Sequence, residues 1–422
     1  MTNELKNVPE LRFPEFDGEW EENKLIDVLK DKSEGIKRGP FGGALKKDIF
    51  IEDGYAIYEQ RNAIYDMQQF RYFITQQKYD EMIGFAIKPN DIIMSCSGTI
   101  GKLSLIPENA KQGIINQALI RFRTNDKLLS NYFLIYMNSQ YMQRKILESN
   151  PGSAITNLIP VKELKKLNFP SPKINEQQKI GEFFNKLNRQ IELEEQKLAK
   201  LEEQKKGYMQ KIFSQELRFK DENGNEYPEW EDYVLGEIGF SYTGLSGKTK
   251  EDFGHGNASF ITYMNVFKNT IANINMTEKV EIKENEKQNK VNYKDILFTT
   301  SSEVPEETGM ASVWLYEKDN VYLNSFCFGF RVTSHNVNPI YLSRYLRSEK
   351  MRKQITLLSQ GSTRFNISKK EVLKLNIDVP ELREQNKIVE YLSCHDSRIV
   401  GQKNKINVLK ERKQGLLQKM FI

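Results

Sequence analysis

Residues 174–184 read INEQQKIGEFF and residues 382–392 read LREQNKIVEYL, so Glu176, Gln177, Lys179 and Ile180 return as Glu384, Gln385, Lys387 and Ile388 at a constant shift of 208. Stepping on from Ile180 by four and three residues alternately meets Phe184, Leu187, Ile191, Glu194, Leu198, Leu201, Lys205, Tyr208 and Ile212, with charged residues between them. That spacing is the heptad seam of a helix. The same steps from Ile388 meet Leu392, His395, Ile399, Gln402, Ile406, Leu409, Lys413, Leu416 and Met420. Polar residues interrupt both seams in the same registers, Glu194 with Gln402 and Lys205 with Lys413. Such interruptions set register or partner choice at some expense of stability.

Each helix is predicted to start just after a Pro-bearing segment, FPSPKIN (169–175) and VPELR (379–383). Asn175 and Gln178 have capping-box spacing, and Arg383 stands where Asn175 does in the first copy. About 38 residues at ~1.5 Å each make a rod of roughly 55 Å. A helix with one apolar stripe needs a partner. The expectation is its own copy folded back antiparallel; a parallel pair or another protein's helix are the alternatives. On this reading the two helix starts are alike because the rods pair and present equivalent docking surfaces to two copies of one partner.

The duplication runs through the rest of the chain. LRFPEFDGEWEENKLIDVL (11–29) returns as LRFKDENGNEYPEWEDYVLGEI (217–238), and NDIIMS (90–95) as KDILFT (294–299). Asn116 in INQALIRF matches Asn324 in LNSFCFGF, and YMNSQYM (136–142) matches YLRSEKM (345–351). GSAITNLIPVKELKKLNFP (152–170) is echoed by GSTRFNISKKEVLKLNI (361–377), and KGYMQKIF (206–213) by KQGLLQKMF (413–421). Between the tails, short apolar runs such as YAIYEQRNAI, DIIMSCSG, KLSLIP and ALIRFR read as strands, and NYFLIYMNSQYMQRKIL as a helix. The second copy offers FITYMNVF, DILFTTSS, ASVWLYE, SFCFGFRV and PIYLSRYLRSEKMRKQI in the same order. The fold class is therefore α/β, with mixed α+β heads over 1–165 and 216–375 alternating with helical regions over 166–215 and 376–422.

Composition bounds the function only loosely. Among 422 residues, 62 basic and 57 acidic side chains leave a net charge of +5, which permits a polyanionic partner through local patches. Cys96, Cys327 and Cys394 are far apart and form neither a zinc motif nor a disulfide framework. The N-terminal MTNELKNVPE has no apolar core like that of a signal peptide, and no stretch nears the roughly 18 apolar residues of a membrane span, so a cytoplasmic protein is expected.

The chain carries no recognisable catalytic motif. SYTGLSGKT (241–249) carries Gly247, Lys248 and Thr249, but Tyr242 stands where a nucleotide-binding loop requires its first Gly. GPFGG (39–43) lacks the GxGxxG spacing and reads as a turn or a loop approaching a ligand. Neither head has the Asn/Asp-Pro-Pro-aromatic run of amino methyltransferases or a nuclease-like acidic pair with Lys. The three histidines are His255, His335 and His395, and the last falls in a seam as a packed or register-setting residue. No catalytic residue and no metal ligand is expected.

What remains is polar loop chemistry repeated on two heads. The first offers Lys37, Arg38, Lys46, Lys47, Arg61, Asn62, Ser97, Thr99 and Lys102; the second offers Lys248, Lys250, Tyr263, Asn265, Ser301, Ser302, Ser362, Thr363 and Arg364. Lys and Arg suit phosphates, while Arg, Asn, Ser and Thr suit base edges. As a set they favour DNA-recognition loops, the alternative being a coiled-coil scaffold with peptide-binding heads.

The LRFPEF…EW opening, the GS…N…L segment, the EQ.KI helix start and the heptad tail, each written twice, resemble the specificity subunit of type I restriction-modification systems. The resemblance implies two target recognition domains, similar to the recognition domain of gamma-type adenine methyltransferases, and helices paired as an antiparallel coiled coil with pseudo-two-fold symmetry. It implies double-stranded DNA as ligand, two methyltransferase subunits as partners, and restriction/translocase subunits in the full complex, as in defence against phage. S-adenosylmethionine, ATP and Mg²⁺ are then expected in the partners and no cofactor in this chain. Because the heads differ, the implied target is split and asymmetric, with an adenine flipped out in each half and a spacer set by the rods. The second head replaces SCSGTIGK with TTSSEVPEETGMA, so the loop from Gly98 to Lys102 does not carry across.

Overall fold

The computed structural model describes residues 7–148 and 160–421, so the GSAITNLI part of the repeat at 152–159 lies outside the described residues. The chain forms two compact units, Met1–Glu195 with Asn404–Ile422, and Gln196–Lys403. These cut across the four segments expected from sequence, because each unit holds one head and part of both long helices, Ile174–Phe213 and Leu382–Lys419.

In the first unit the strands are β1 (Ile36–Arg38), β2 (Tyr55–Tyr58), β3 (Phe73–Ile74), β4 (Ile92–Ser95), β5 (Leu103–Leu105), β6 (Gly113–Ile115) and β7 (Leu119–Phe122). They form an antiparallel sheet in the order β1-β7-β4-β5 and a second sheet β3-β2-β6, in which β2 runs parallel to β6. A parallel pair needs a long crossover, which β3, β4, β5 and their loops supply.

The second unit adds β8 (Glu231–Val234), β9 (Gly239–Thr243), β10 (Phe253–Ile261), β11 (Thr277–Val280), β12 (Ile296–Thr299), β13 (Ser301–Ser302), β14 (Ala311–Val313), β15 (Val321–Leu323), β16 (Cys327–Val332), β17 (Phe365–Asn366) and β18 (Asn376–Val379). Its sheets β14-β12-β16-β9 and β11-β10-β15, the latter with β10 parallel to β15, repeat the topology of the first head strand for strand. β13 pairs with β17, and β18 with β8. Residues 376–379 thus belong to the second head, whereas the sequence reading assigned them to the tail.

Each main sheet is bordered by the same ion pair, buried in the first head and half-buried at its arginine in the second. Arg123 forks onto Asp91 through Nε and Nη2, both at 2.7 Å, and Arg331 onto Asp295 at 2.8 and 2.7 Å. Two predicted elements split. YAIYEQRNAI is β2 followed by a short helix, Gln60–Tyr65. NYFLIYMNSQYMQRKIL is two helices, Ser130–Met137 and Gln140–Glu148, because the Ser139 hydroxyl accepts from the Met142 amide (3.2 Å) and restarts the helix. Ser348 does the same between Pro339–Tyr345 and Glu349–Leu357, accepting from Met351 N at 3.4 Å.

The two long helices pair antiparallel. In the first unit Leu187 and Ile191 bury against Leu409 and Leu416, Glu195 meets Lys410 (2.7 Å), and Phe184 packs on Phe421 (6.1 Å). In the second, Glu202 meets Lys403 (2.8 Å), Lys205 meets Asp396 (2.5 Å) and Tyr208 packs on His395 (5.1 Å). Of the other seam residues, Leu201, Ile399 and Ile406 are buried, while Leu198 and Tyr208 are half-buried. Ile180 and Phe184 lie in the first head's core, and Ile388 and Leu392 in the second's, so the seam merges with the head at each helix start. Glu194 pairs with Lys405.

The repeated Glu-Gln has a different cause from the one expected. Arg12 Nε and Nη2 donate to Glu176 Oε1 (2.8 Å) and Oε2 (2.7 Å), and Trp20 Nε1 donates to the same carboxylate at 3.3 Å. Arg218 and Trp230 hold Glu384 in the same way, at 3.3, 2.8 and 3.1 Å. Gln177 accepts from Leu129 N (2.9 Å) and donates to the Lys127 and Pro172 carbonyls; Gln385 accepts from Asn338 N (2.7 Å) and donates to those of Asn336 and Pro380. All four helix-start side chains are buried. They clamp each helix start to its own head and offer no docking surface. Nor is Asn175 the cap: the helix starts at Ile174, which puts Asn175 inside the first turn, and Arg383 is likewise inside the second helix.

Candidate nucleic-acid interface

In the first head four segments converge where β2 ends. Gln60, first in the short helix, donates its amide to the carbonyls of Ser97 and Thr99 (3.3 Å to the latter). The hairpin loop they belong to is stapled at its base by Ser95 N to Lys102 O (2.9 Å) and Lys102 N to Ser95 Oγ (3.0 Å). Gly98 (φ +62°) and Gly101 (φ +79°) turn the loop in the left-handed region that glycine tolerates. Cys96 N donates to Ala118 O (2.9 Å), Asn116 N to Tyr58 O (2.9 Å), Ala118 N to Asn116 Oδ1 (3.0 Å) and Gly39 N to Leu119 O (2.9 Å).

The second head repeats this frame bond for bond. Tyr263 Oη donates to Ser301 O (2.5 Å), in the role of Gln60. Thr299 N to Met310 O (3.1 Å) and Met310 N to Thr299 Oγ1 (3.0 Å) staple a loop four residues longer. Thr300 N donates to Phe326 O (2.9 Å), Asn324 N to Ile261 O (3.1 Å), Phe326 N to Asn324 Oδ1 (2.8 Å) and Gly244 N to Cys327 O (3.2 Å). The base of the Gly98–Lys102 loop therefore does carry across; only its tip differs. Gly39 of GPFGG and Gly244 of the failed nucleotide-binding motif prove to be counterparts.

The sequence-predicted residues divide into three groups. Lys46, Lys47, Thr99 and Lys102 are exposed in the first head, and Lys250, Ser362, Thr363 and Arg364 in the second. Half-buried at the rims are Lys37 over the Phe85 ring (5.0 Å), Arg38 with Nε on Gln117 O (3.3 Å), Ser97, Arg61 with Nε on Met67 Sδ (3.3 Å), and Ser302 with its hydroxyl on Glu307 (3.1 Å). The third group is corrected. Asn62, 1% exposed, accepts from Glu59 N (2.8 Å) and donates to the Met67 (2.8 Å) and Gln69 (3.1 Å) carbonyls. Asn265, fully buried, accepts from Asn273 N (2.8 Å) and donates to the carbonyls of Asn273 (2.7 Å) and Met276 (3.2 Å). Both amides are used up inside their heads and neither is open to a base. Lys248 is turned inward onto Glu286 and the Glu281 carbonyl (2.6 Å), and Ser301 is 3% exposed. The hydroxyl of Tyr263 is spent on the loop brace.

Tyr263, Ser302 and Arg364 line one hollow of about 380 Å³ together with Met264 and Phe326, residues the sequence reading passed over. Their positions beside Asn265 and Asn324 were the available signal, since those asparagines match Asn62 and Asn116. Lys46 and Lys47 stand apart from the frame, on a turn whose Leu45 and Ile49 pack against the second sheet.

Two further hollows lie along the helices. One, about 790 Å³ in the second unit, includes Lys205, Met209, Asp396 and Ile399; the other, about 410 Å³ in the first, includes Lys413, Leu417, Asn188 and Ile191. The four pairs are related by the same shift of 208. Burial would raise the Asp396 carboxyl, but Lys205 and Arg344 outweigh it and hold it below the usual carboxylate range. Lys413, facing Asn188 in place of Asp396, is pushed down by burial. Burial likewise lowers Arg347 and Arg352, lining the larger hollow, to about 10. Among the described residues, no three His, Cys, Asp or Glu side chains gather as a metal ion requires, and no helix is long and apolar enough to cross a membrane.

Two heads of one topology, each locked to the start of a long helix and each carrying its own rim on a common frame, define a two-headed recognition subunit. The chain belongs to the Type I restriction modification DNA specificity domain family, whose profile matches residues 18–203 and 227–411. It is similar to two Methanocaldococcus jannaschii proteins carried as type I restriction enzyme specificity subunits, MjaX and MjaVIII. Identities are 24% and 22%, over 97% of this chain in both cases and 94% and 93% of those proteins. Its fold is similar to the crystal structure of the type I restriction-modification S subunit from M. genitalium, with TM-score 0.53, 16% identity, and coverage of 98% of this chain and 99% of that one. It is also similar to a chain from a structural study of complex assembly and conformational transition of the type I R-M system, with TM-score 0.60, 17% identity, and coverage of 95% and 97%. The chain's function is that of a type I specificity subunit, and the peptide-scaffold alternative gives way to DNA target recognition.

Proposed function

We propose that each head reads one half of a split, asymmetric DNA target, that the paired helices set the spacer, and that two adenine methyltransferase subunits dock on this chain. The observation that carries the reading is the pair of matched frames with unlike rims: the same hydrogen bonds hold both hairpin loops, yet one tip is CSGTIG and the other TSSEVPEETG. Equal frames suit one kind of ligand, and unlike tips suit two sequences. Exposed Lys46, Lys47, Thr99 and Lys102 on one head and Lys250, Ser362, Thr363 and Arg364 on the other supply phosphate and base-edge donors. The hollows repeated at a shift of 208 favour two copies of one partner.

Chemistry is then the partners' work: S-adenosylmethionine binds in the methyltransferase subunits, and ATP and Mg²⁺ in restriction/translocase subunits, all in the cytoplasm beside the chromosome. Methylome sequencing of the host with and without this gene tests the reading. One split motif with a methylated adenine in each half should vanish; an unchanged methylome overturns it. DNA affinity of the assembled complex should also fall steeply with salt, as phosphate contacts require.

A further inference from the structure

The brace that joins the short helix to the hairpin loop also fixes the residue that follows it. In the first head Gln60 reaches the carbonyls of Ser97 and Thr99, and the next residue is Arg61; in the second, Tyr263 reaches the carbonyl of Ser301, and the next residue is Met264. One residue further on, Asn62 and Asn265 anchor both helices from inside. Arg61 and Met264 therefore occupy one position of one frame with opposite chemistry. The Arg61 Nε rests on Met67 Sδ at 3.3 Å, and among the described residues no hydrogen bond holds its two terminal nitrogens. Met264 is 42% exposed and lines the 380 Å³ hollow with Phe326 (52%) and Val304 (43%).

We propose that this matched position is the base discriminator of each head: Arg61 reads a guanine of the first half-site through N7 and O6, and Met264 takes the 5-methyl group of a thymine in the second. The planar fork of arginine fits the two guanine acceptors of the major groove, where the thymine methyl is the apolar mark a Met–Phe surface recognises. Anchoring at Nε leaves the two terminal nitrogens of Arg61 as the donors. Glu307, at the edge of the hollow, is engaged by the Ser302 hydroxyl (3.1 Å), and the Arg364 guanidinium lies over the Phe326 ring (5.4 Å), so that the part of the wall offering apolar contact is Met264 itself.

This inference rests on the half-site reading above, and the test separates the two. The assembled methyltransferase complex containing the full chain is titrated against duplexes carrying the methylome-defined motif, with single 7-deazaguanine replacements in the first half and deoxyuridine for thymine in the second. One 7-deazaguanine position should weaken binding about tenfold, and that sensitivity should disappear in Arg61→Ala. One deoxyuridine position should weaken binding several-fold in the parent and have no effect in Met264→Ala. Sensitivity that persists in Arg61→Ala, or an Arg61→Ala loss equal on all sequences, makes Arg61 a bystander or a phosphate contact and overturns its role. Indifference to deoxyuridine throughout the second half, or dependence on a cytosine amino group instead, overturns the role of Met264. Absence of any split adenine motif overturns the half-site reading itself, whereas a motif without these atom-level dependences overturns only the present inference.

Discussion

Gly39 lies so close to Asn116 that a Cβ on it would sit 1.9 Å from that residue's carbonyl oxygen, and Gly244 meets Asn324 in the same way at 2.2 Å. The obstacle is backbone, so a side chain cannot be accommodated without moving one of the frame's segments. Gly39→Ala and Gly244→Ala should each cost about 1–3 kcal/mol in urea unfolding and abolish recognition of their own half-site only. Alanine variants with parent stability and parent methylome would show that the close approach does not matter.

The Arg12–Glu176 fork is buried at the carboxylate and supported by Trp20. Removing one partner of such a pair leaves an uncompensated group, so Glu176→Gln should lose about 3 kcal/mol of stability, as should Glu384→Gln in the second copy. Equilibrium denaturation provides the check. A loss below ~0.5 kcal/mol would mean the clamp adds nothing to folding.

Neighbouring residues 61 and 62 should separate in a stability assay. Asn62→Ala strands a backbone amide and two carbonyls and should cost about 1–3 kcal/mol, as should Asn265→Ala, while Arg61→Ala stays within about 0.5 kcal/mol of the parent. The opposite order would return Asn62 to the list of DNA contacts.

Asp396 carries a pH signature. Its folded-state pKa is depressed, so its contribution is complete above the unfolded value near ~4 and is lost as pH falls through the lower folded value. Asp396→Asn should therefore lower stability at neutral pH and flatten the acid limb of the stability profile below about pH 4. Parallel profiles for parent and variant would exclude the linkage.

The duplication and the alternation of heads and rods were legible because heptad spacing and repeat shifts are properties of sequence order, whereas the antiparallel sense of the pair was one expectation among three, decided by contacts such as Glu195–Lys410 and Glu202–Lys403. The helix starts were found, but their cause was not: the repeated Glu-Gln read as part of a pairing and docking surface, and only folding shows that Arg12 and Trp20 close on Glu176. The candidate site was half legible. Exposed loop cations are visible from composition, whereas Asn62 and Asn265 share their residue type with base readers and differ only in where the amide points. Lys248 misled for a similar reason, since its carboxylate partner Glu286 comes from a distant turn. The aromatic and thioether lining around Met264 carried no polar signal at all.

The two-bond staples at Ser95–Lys102 and Thr299–Met310 close intervals of different length on the same foundation. Within those intervals the frame holds the Cys96 amide and the Ser97 and Thr99 carbonyls in one head, and the Thr300 amide and the Ser301 carbonyl in the other. Those ties are to main-chain atoms, so the side chains of the tip can be rewritten while the hydrogen bonds of the frame stay, and new vocabulary arises without the grammar having to be refolded.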